Sequence, residues 1–237
     1  MIDTAIILAG GRGLRLMPQT AEQPKAMVKV LGRPMIEWII LWLKKNKITN
    51  IIVSVDYKKV KLMKYLGNGK KFGVNICYND HAGASETGDA FRSVFLNIKS
   101  LPDVFVAMNG DQITNLPIKK LVAHHKKHDP IATIVTCPIK SPYGIVTHNN
   151  LNHLVKDFKE KPILPNIYMN TGIYIFNKKI IKYLPQKGSV ERTTFKKLIR
   201  EQKLKAYIHR GLFVTINDNK DLQDTESILT KSKINFL

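Results

Sequence analysis

Residues 5–25 read Ala5-Ile6-Ile7-Leu8-Ala9-Gly10-Gly11-Arg12-Gly13-Leu14-Arg15-Leu16-Met17-Pro18-Gln19-Thr20-Ala21-Glu22-Gln23-Pro24-Lys25. The apolar run at the start has the pattern of a buried strand, and it opens straight into a glycine loop that closes on a Pro-Lys pair. Glycines let the backbone approach a ligand closely and turn its N–H groups toward anionic oxygens. Arg15 and Lys25 add positive charge to the same turn, so the stretch suits a polyphosphate. It is not a Walker loop, because no Lys-Ser or Lys-Thr follows Gly13. It is not a dinucleotide fingerprint either, because Leu16 stands at the third glycine position. The glycines alone would serve an ordinary strand-to-helix turn equally well.

The alternation continues downstream. Strands are predicted at Thr4–Leu8, Asn50–Asp56, Val74–Tyr78 and Val104–Met108, with helices at Pro34–Asn46, Lys58–Leu66 and Thr87–Asn97 between them. Pro34 suits a first helical turn, where its missing N–H is no loss, and Ile36, Ile39, Ile40 and Leu43 recur at helical spacing. Strands and helices in this order imply βαβ units and a mainly parallel sheet, which binds ligands at the carboxyl ends of its strands. The glycine loop and Asn109-Gly110-Asp111 both fall at such ends. The second half is less regular. Leu116–Lys127 reads as a helix, Ile131–Cys137, Gly144–Thr147, His153–Phe158 and Gly172–Phe176 as strands, Lys178–Leu184 and Arg192–Glu201 as helices, and Lys220–Lys231 as a final helix. No long Pro/Gly/Ser linker, repeat or low-complexity tract interrupts residues 1–237, so the chain reads as a single domain.

Bulk properties exclude several classes. A hydrophobic content of 44% is ordinary for a globular chain. No apolar run approaches the roughly 18 residues of a membrane span. The N-terminus lacks a basic region before its apolar stretch, which ends in Gly-Gly-Arg rather than a cleavage site, so a first strand is expected and not a signal peptide. Cys77 and Cys137 form no C-x-x-C pair and are expected as buried thiols, which points to a reducing, cytoplasmic setting. The formal charge of +20 raises the question of nucleic acid. The lysines, however, are dispersed as pairs such as Lys44-Lys45, Lys58-Lys59, Lys126-Lys127 and Lys196-Lys197, without interleaved aromatics. Solvated helix faces explain them better than a nucleic-acid footprint. No His/Cys/Asp spacing resembles a zinc site.

The full string, Gly-Gly-x-Gly-x-Arg-Leu-x-Pro-x-Thr, a short gap and then Pro-Lys, resembles the signature of the sugar-1-phosphate nucleotidyltransferases. So do its continuation Met27-Val28-Lys29-Val30-Leu31-Gly32-Arg33-Pro34-Met35-Ile36-Glu37-Trp38 and the later pieces Asn109-Gly110-Asp111, Phe158-Lys159-Glu160-Lys161-Pro162 and Asn170-Thr171-Gly172-Ile173-Tyr174. These occur in family order across nearly the whole chain. The resemblance implies a three-layer α/β/α sandwich with a Rossmann-like, mixed and mainly parallel sheet of the GT-A-like kind. It also implies a nucleotide-binding half over about 1–130 and a sugar-binding half over about 131–237. The substrates would be an NTP and a sugar 1-phosphate, the cofactor Mg²⁺, and the products an NDP-sugar and pyrophosphate. No nucleic acid or membrane partner is implied, and a homo-oligomer is compatible with the sequence.

The chemistry implied is displacement at phosphorus by an oxygen that is already anionic, so cations and N–H donors matter more than a general base. By resemblance, Asp111 is the expected Mg²⁺ ligand, Arg15 the clamp on the β/γ-phosphates, and Lys25 the cation at the α-phosphate. Leu8, Ala9, Gly10, Gly11 and Gly13 are expected at the nucleotide. The segment Ser85-Glu86-Thr87-Gly88-Asp89-Ala90 aligns with a second base-contacting loop through Thr87, Gly88 and Asp89. Asp89 could equally favour the first turn of the following helix. Gly144, Glu160, Lys161, Asn170 and Thr171 are expected at the sugar phosphate, with Gly172 allowing close approach.

One departure stands out. In Phe213-Val214-Thr215-Ile216-Asn217-Asp218, Thr215 occupies the place of the family's second metal-binding Asp. A neutral hydroxyl is a weaker Mg²⁺ ligand, and Asp218 reaches the site only if this loop is rearranged. Thr215 supports one competing reading, a catalytically weak NDP-sugar-binding or regulatory homologue; a second, within the same fold, is a cytidylyltransferase for a non-sugar phosphate such as phosphocholine, against which the Glu160, Lys161 and Asn170 set favours a sugar.

Overall fold

The computed structural model describes residues 2–84 and 86–232. At its centre is a seven-stranded sheet of β1 (Thr4–Leu8), β2 (Asn50–Val55), β3 (Asn75–Asp80), β4 (Val104–Asn109), β5 (Ala132–Lys140), β6 (Ile163–Asn177) and β7 (Leu204–Ile208). Their spatial order is β7-β5-β6-β4-β1-β2-β3. Every pairing in it is parallel except those of β6, which runs against both its neighbours. The helices are α1 (Met35–Lys45), α2 (Lys59–Leu66), α3 (Thr87–Asn97), α4 (Ile118–His128), α5 (Thr194–Arg200) and α6 (Asn219–Ser232).

The opening strand explains the layering. Ala5, Ile6 and Ile7 are all fully buried, and successive side chains of a strand face opposite sides of the sheet. Ala5 and Ile7 join a core with Trp42 of α1, Leu62 of α2, Leu121 of α4 and Leu229 of α6. Ile6 joins a second core with Phe91 and Val94 of α3 and Leu198 of α5. A strand covered on both faces has to be apolar throughout, and the expected α/β/α layering with a mainly parallel sheet is the one found. In α1, Trp38 Nε1 donates to the Val30 carbonyl at 3.1 Å and Trp42 Nε1 to that of Leu116 at 3.0 Å, so both indoles are buried with their N–H groups satisfied.

The second half differs from the sequence reading at identifiable places. Gly172–Phe176 is only the buried end of the fifteen-residue strand β6, whose earlier part carries exposed Ile163, Ile167 and Tyr168 and shows no alternation to read. Lys178–Lys182 forms a 3₁₀ turn rather than a longer helix. The edge strand β7 and the short ribbon pairing Phe213–Thr215 with Gln112–Thr114 were not expected; β7 is mostly exposed, so it lacks the apolar pattern of an inner strand. Ile145–His148 and Val155–Lys159 pair as a two-stranded arm near their expected positions. Cys137 is buried as expected, but Cys77 is exposed, because β3 is the last strand of the sheet and its face is incompletely covered there.

Candidate active site

Beyond the carboxyl ends of β1 to β4 lies a cavity of about 750 Å³. The glycine loop borders it from Leu8 to Arg12, Asp56 follows β2, His81 follows β3, Glu86 and Thr87 open α3, and Asn109–Asp111 follow β4. A smaller cavity of about 180 Å³ adjoins it, bordered by Asn170, Thr171 and Gly172 of β6 and by Thr215 and Asn217. Asn109 and Asp111 border both.

At that shared wall the Lys25 ammonium donates to Asp111 Oδ2 at 2.6 Å and to Asn217 Oδ1 at 3.1 Å. Local sequence brings them together. Gly13 has φ +66°, and a Cβ there would lie 3.0 Å from Lys25 Cβ, so the loop folds tightly over the lysine. Lys25 N–H closes the turn onto the Gly11 carbonyl at 3.1 Å, and Thr20 Oγ1 donates to the Gly13 carbonyl at 2.9 Å. On the facing strand, a Cβ on Gly110 would come within 2.8 Å of the Leu8 carbonyl oxygen. Only a residue without a side chain lets β4 exit beneath β1, and that exit delivers Asp111 to Lys25.

The smaller cavity is organised by β6. A Cβ on Gly172, at φ +70°, would fall 2.3 Å from Gln112 Nε2. Asn170 is held at both ends: Oδ1 accepts from Gly172 N–H at 3.0 Å and Nδ2 donates to Tyr174 Oη at 3.0 Å. The Thr171 hydroxyl is turned into the sheet, where it donates to the Val135 carbonyl at 2.9 Å.

At the far end of the larger cavity, Asp89 is buried and its carboxylate accepts from Glu86 N–H at 2.9 Å, as half of a capping box with Glu86. Thr87 Oγ1 donates to Glu191 at 2.8 Å. Gly88 packs on a neighbouring loop: its N–H donates to the Gly188 carbonyl at 3.1 Å, and a Cβ would fall 2.4 Å from that oxygen. His81 is buried, with Nδ1 2.8 Å from Ser54 Oγ. Ser93 Oγ spends its proton on the Ala90 carbonyl, so Asn79 faces it with Nδ2, which also donates to Ser54 Oγ at 2.9 Å. Ser54 Oγ thus faces both Asn79 Nδ2 and the His81 imidazole. Burial lowers this imidazole's pKa, against the opposing pull of Asp56, Asp80 and Asp89.

Not every expected residue reaches the cavities. Leu8, Ala9, Gly10, Gly11, Lys25, Thr87 and Asp111 border the larger one and Asn170 and Thr171 the smaller. Arg15 is exposed on the 3₁₀ turn Leu14–Leu16 and borders neither, whereas Arg12 borders the larger cavity and stacks 5.6 Å over Tyr57. Gly144, Glu160 and Lys161 lie on or beside the arm and also border neither. Asp218 is turned to α6, accepting from Asp221 N–H at 2.9 Å. Among the described residues, no three His, Cys, Asp or Glu side chains form a metal cluster. Arg12, Asp56, His81, Asn217 and Glu191 were not singled out from sequence. Asp56 and His81 could have been, since each directly follows a strand end on the ligand-binding edge; Asn217 and Glu191 depend on long-range packing.

The fold and the placement of its site make this a Rossmann-like α/β protein with its cavity at the carboxyl edge of the sheet. The chain belongs to the nucleotidyl transferase family, whose model matches residues 4–230. It is similar to the mannose-1-phosphate guanyltransferase of Gibberella zeae, with 30% identity over 91% of this chain and 61% of that protein. Candida glabrata mannose-1-phosphate guanyltransferase 2 is 32% identical over 91% of this chain and 62% of its own length. The chain thus spans only about 61% of the length of such relatives. Among solved structures, a Bacillus anthracis protein assigned as a glucose-1-phosphate thymidylyltransferase, in complex with a sucrose, superposes with TM-score 0.77 at 25% identity, covering 99% of this chain and 97% of that one. HddC from Yersinia pseudotuberculosis shares the fold with TM-score 0.73 at 24% identity, covering 96% and 100%.

Proposed function

We propose that this chain transfers a nucleotidyl group from a nucleoside triphosphate to a sugar 1-phosphate, releasing pyrophosphate. One observation carries the reading: Lys25 and Asp111 meet at 2.6 Å on the wall shared by a larger and a smaller cavity. A triphosphate in the larger cavity and a sugar phosphate in the smaller would bring their reacting phosphates to that wall. The attacking phosphate oxygen is already anionic and needs no base. The loop N–H groups and the Arg12 guanidinium receive the triphosphate, and the Lys25 ammonium neutralises charge gathering on the α-phosphate oxygens. Asn170, held in place by Gly172 N–H, receives the sugar.

The donor set at the wall fits Mg²⁺. A carboxylate and a carboxamide oxygen already converge on one cation, the Lys25 ammonium, and hard oxygen donors are what Mg²⁺ takes. Asp111 and Asn217 would hold it, in place of the carboxylate missing at Thr215. When bound, Mg²⁺ withdraws charge from phosphate oxygens as a Lewis acid.

Pyrophosphate release with each NTP against mannose, glucose and heptose 1-phosphates and phosphocholine tests the reading, with GTP and mannose 1-phosphate first because the relatives are guanyltransferases. Turnover with a sugar 1-phosphate supports it. Absent turnover with NDP-sugar binding retained would instead make the chain a binding homologue, the alternative that Thr215 favours.

A further inference from the structure

Glu191 borders neither cavity, yet its carboxylate bonds Thr87 of the larger and reaches Asn170 of the smaller through Tyr174. Oε2 accepts from Thr87 Oγ1 at 2.8 Å, on the nucleotide side. Oε1 accepts from Tyr174 Oη at 3.2 Å, and that hydroxyl accepts from Asn170 Nδ2 at 3.0 Å, on the sugar side. The order of donors along this chain is forced from both ends. At one end Gly172 N–H can only donate, so Asn170 must turn Oδ1 toward it, at 3.0 Å. At the other end an ionised carboxylate can only accept, so the Tyr174 proton points at Glu191 and its oxygen is left for Asn170 Nδ2. Tyr174 cannot move to another partner. It is fully buried, stacked at 5.2 Å on Phe176 and edge-on at 5.3 Å to Phe195. The Thr87 arm is fixed too, because Thr87 Oγ1 also accepts from Val190 N–H at 3.0 Å.

We propose that Glu191 is a positioning residue for the sugar 1-phosphate. From outside the cavity it keeps the Tyr174 proton turned away from Asn170, so that the amide orientation Gly172 N–H demands also finds an acceptor for its Nδ2, leaving one N–H and one oxygen lone pair of that amide for sugar hydroxyls, and it links that acceptor to Thr87 at the nucleotide. The inference rests on the transferase reading, with Asn170 at the sugar. Without Glu191 the Tyr174 proton has no obligatory acceptor, and the hydroxyl can turn it toward Asn170, against the amide's N–H. Losing one aligned hydrogen bond weakens binding by about 5–10-fold.

The test is a double-mutant cycle of Glu191→Ala and Asn170→Ala, reading KM for the sugar 1-phosphate, KM for the NTP, kcat and the unfolding temperature. Asn170→Ala is expected to raise the sugar-phosphate KM by about 5–10-fold, as is Glu191→Ala, with kcat changed less in both. In the Asn170→Ala background, adding Glu191→Ala should raise that KM no further. Multiplicative losses, or a loss confined to unfolding temperature, would overturn the proposal. If Glu191→Ala does not fold, Glu191→Gln enters the same cycle: its amide can accept from only one of the two hydroxyls, and the same non-additivity is required. A wild-type chain without sugar-1-phosphate turnover would refute the transferase reading itself, a result distinct from an active enzyme whose cycle is additive.

Discussion

Lys25 and Asp111 are far apart in sequence and form one ion pair, and the chemistry proposed turns on what each contributes separately. Asp111→Asn keeps the shape and an acceptor oxygen but removes the charge. Turnover should fall by about 10²-fold or more with the thermal unfolding curve unchanged, and a near-normal rate in steady-state assays would remove Asp111 from the metal role. Lys25→Ala removes a cation whose work lies mainly in the transition state, so kcat should fall by more than NTP affinity does; equal losses in the two would mark a ground-state contact. Asn217→Asp places a second carboxylate beside Asp111, and Mn²⁺ titration followed by electron paramagnetic resonance should show binding about tenfold tighter than in the wild type. Unaltered Mn²⁺ affinity would mean that the Asn217 oxygen does not face the cation. Lys25 and Asp111 were legible in the sequence because each belongs to a short motif next to a strand end. Asn217 was not, since its approach depends on how the turn after Phe213–Thr215 lies against Lys25; the Thr215 hydroxyl donates to the Asp111 carbonyl rather than facing the carboxylate.

Elements explain what single residues do not. The start of α3 looked like a base-contacting loop, and Gly88 like a concession to the nucleotide. In the structure that glycine is required by protein: a Cβ would strike the Gly188 carbonyl at 2.4 Å and Pro185 Cγ at 2.7 Å. Gly88→Ala must therefore displace the segment carrying Glu191, and a loss of about 1–3 kcal/mol in urea unfolding is expected, as for other overpacked contacts. A variant as stable as the wild type would show that the loop yields freely. Asp89, which sequence left divided between base and helix, has its carboxylate on the Glu86 N–H. The boundaries of β1 and α3 agree with the sequence reading because periodicity and flanking turns both mark them. β6 was seen only at its buried end, since its earlier part, up to Asn170, is mostly exposed and carries no apolar signature.

Over the whole molecule, the apolar runs of the first half were enough to read the layering and the arm strands were read near their places, whereas the edge strand β7 and the ribbon of Phe213–Thr215 with Gln112–Thr114 were set by contacts between distant segments. One group buried between layers gives the fold a pH dependence. His125 of α4 is fully enclosed, with Nδ1 2.8 Å from Thr133 Oγ1, and burial pushes its imidazole from 6.5 down to about 4. The unfolded chain takes up that proton near 6.5 and the folded chain does not, so the stabilisation is complete above pH 6.5 and is lost as the pH falls toward 4. The loss from this group is on the order of 3 kcal/mol. Urea unfolding at pH 7.5, 6 and 5 should show it, and His125→Gln should flatten the profile between those values; an equally steep profile in the variant would assign the effect to other groups.

The reversal of β6 has a further effect on how this edge of the protein is built. In a sheet whose strands all ascend, only the turns that follow them can reach the upper rim. A descending strand begins there, so the stretch leading into Gly172 arrives at the rim as laddered backbone, paired to β5 through Met169 and Asn170. A molecule entering this cleft meets turns on one flank and strand-paired backbone on the other.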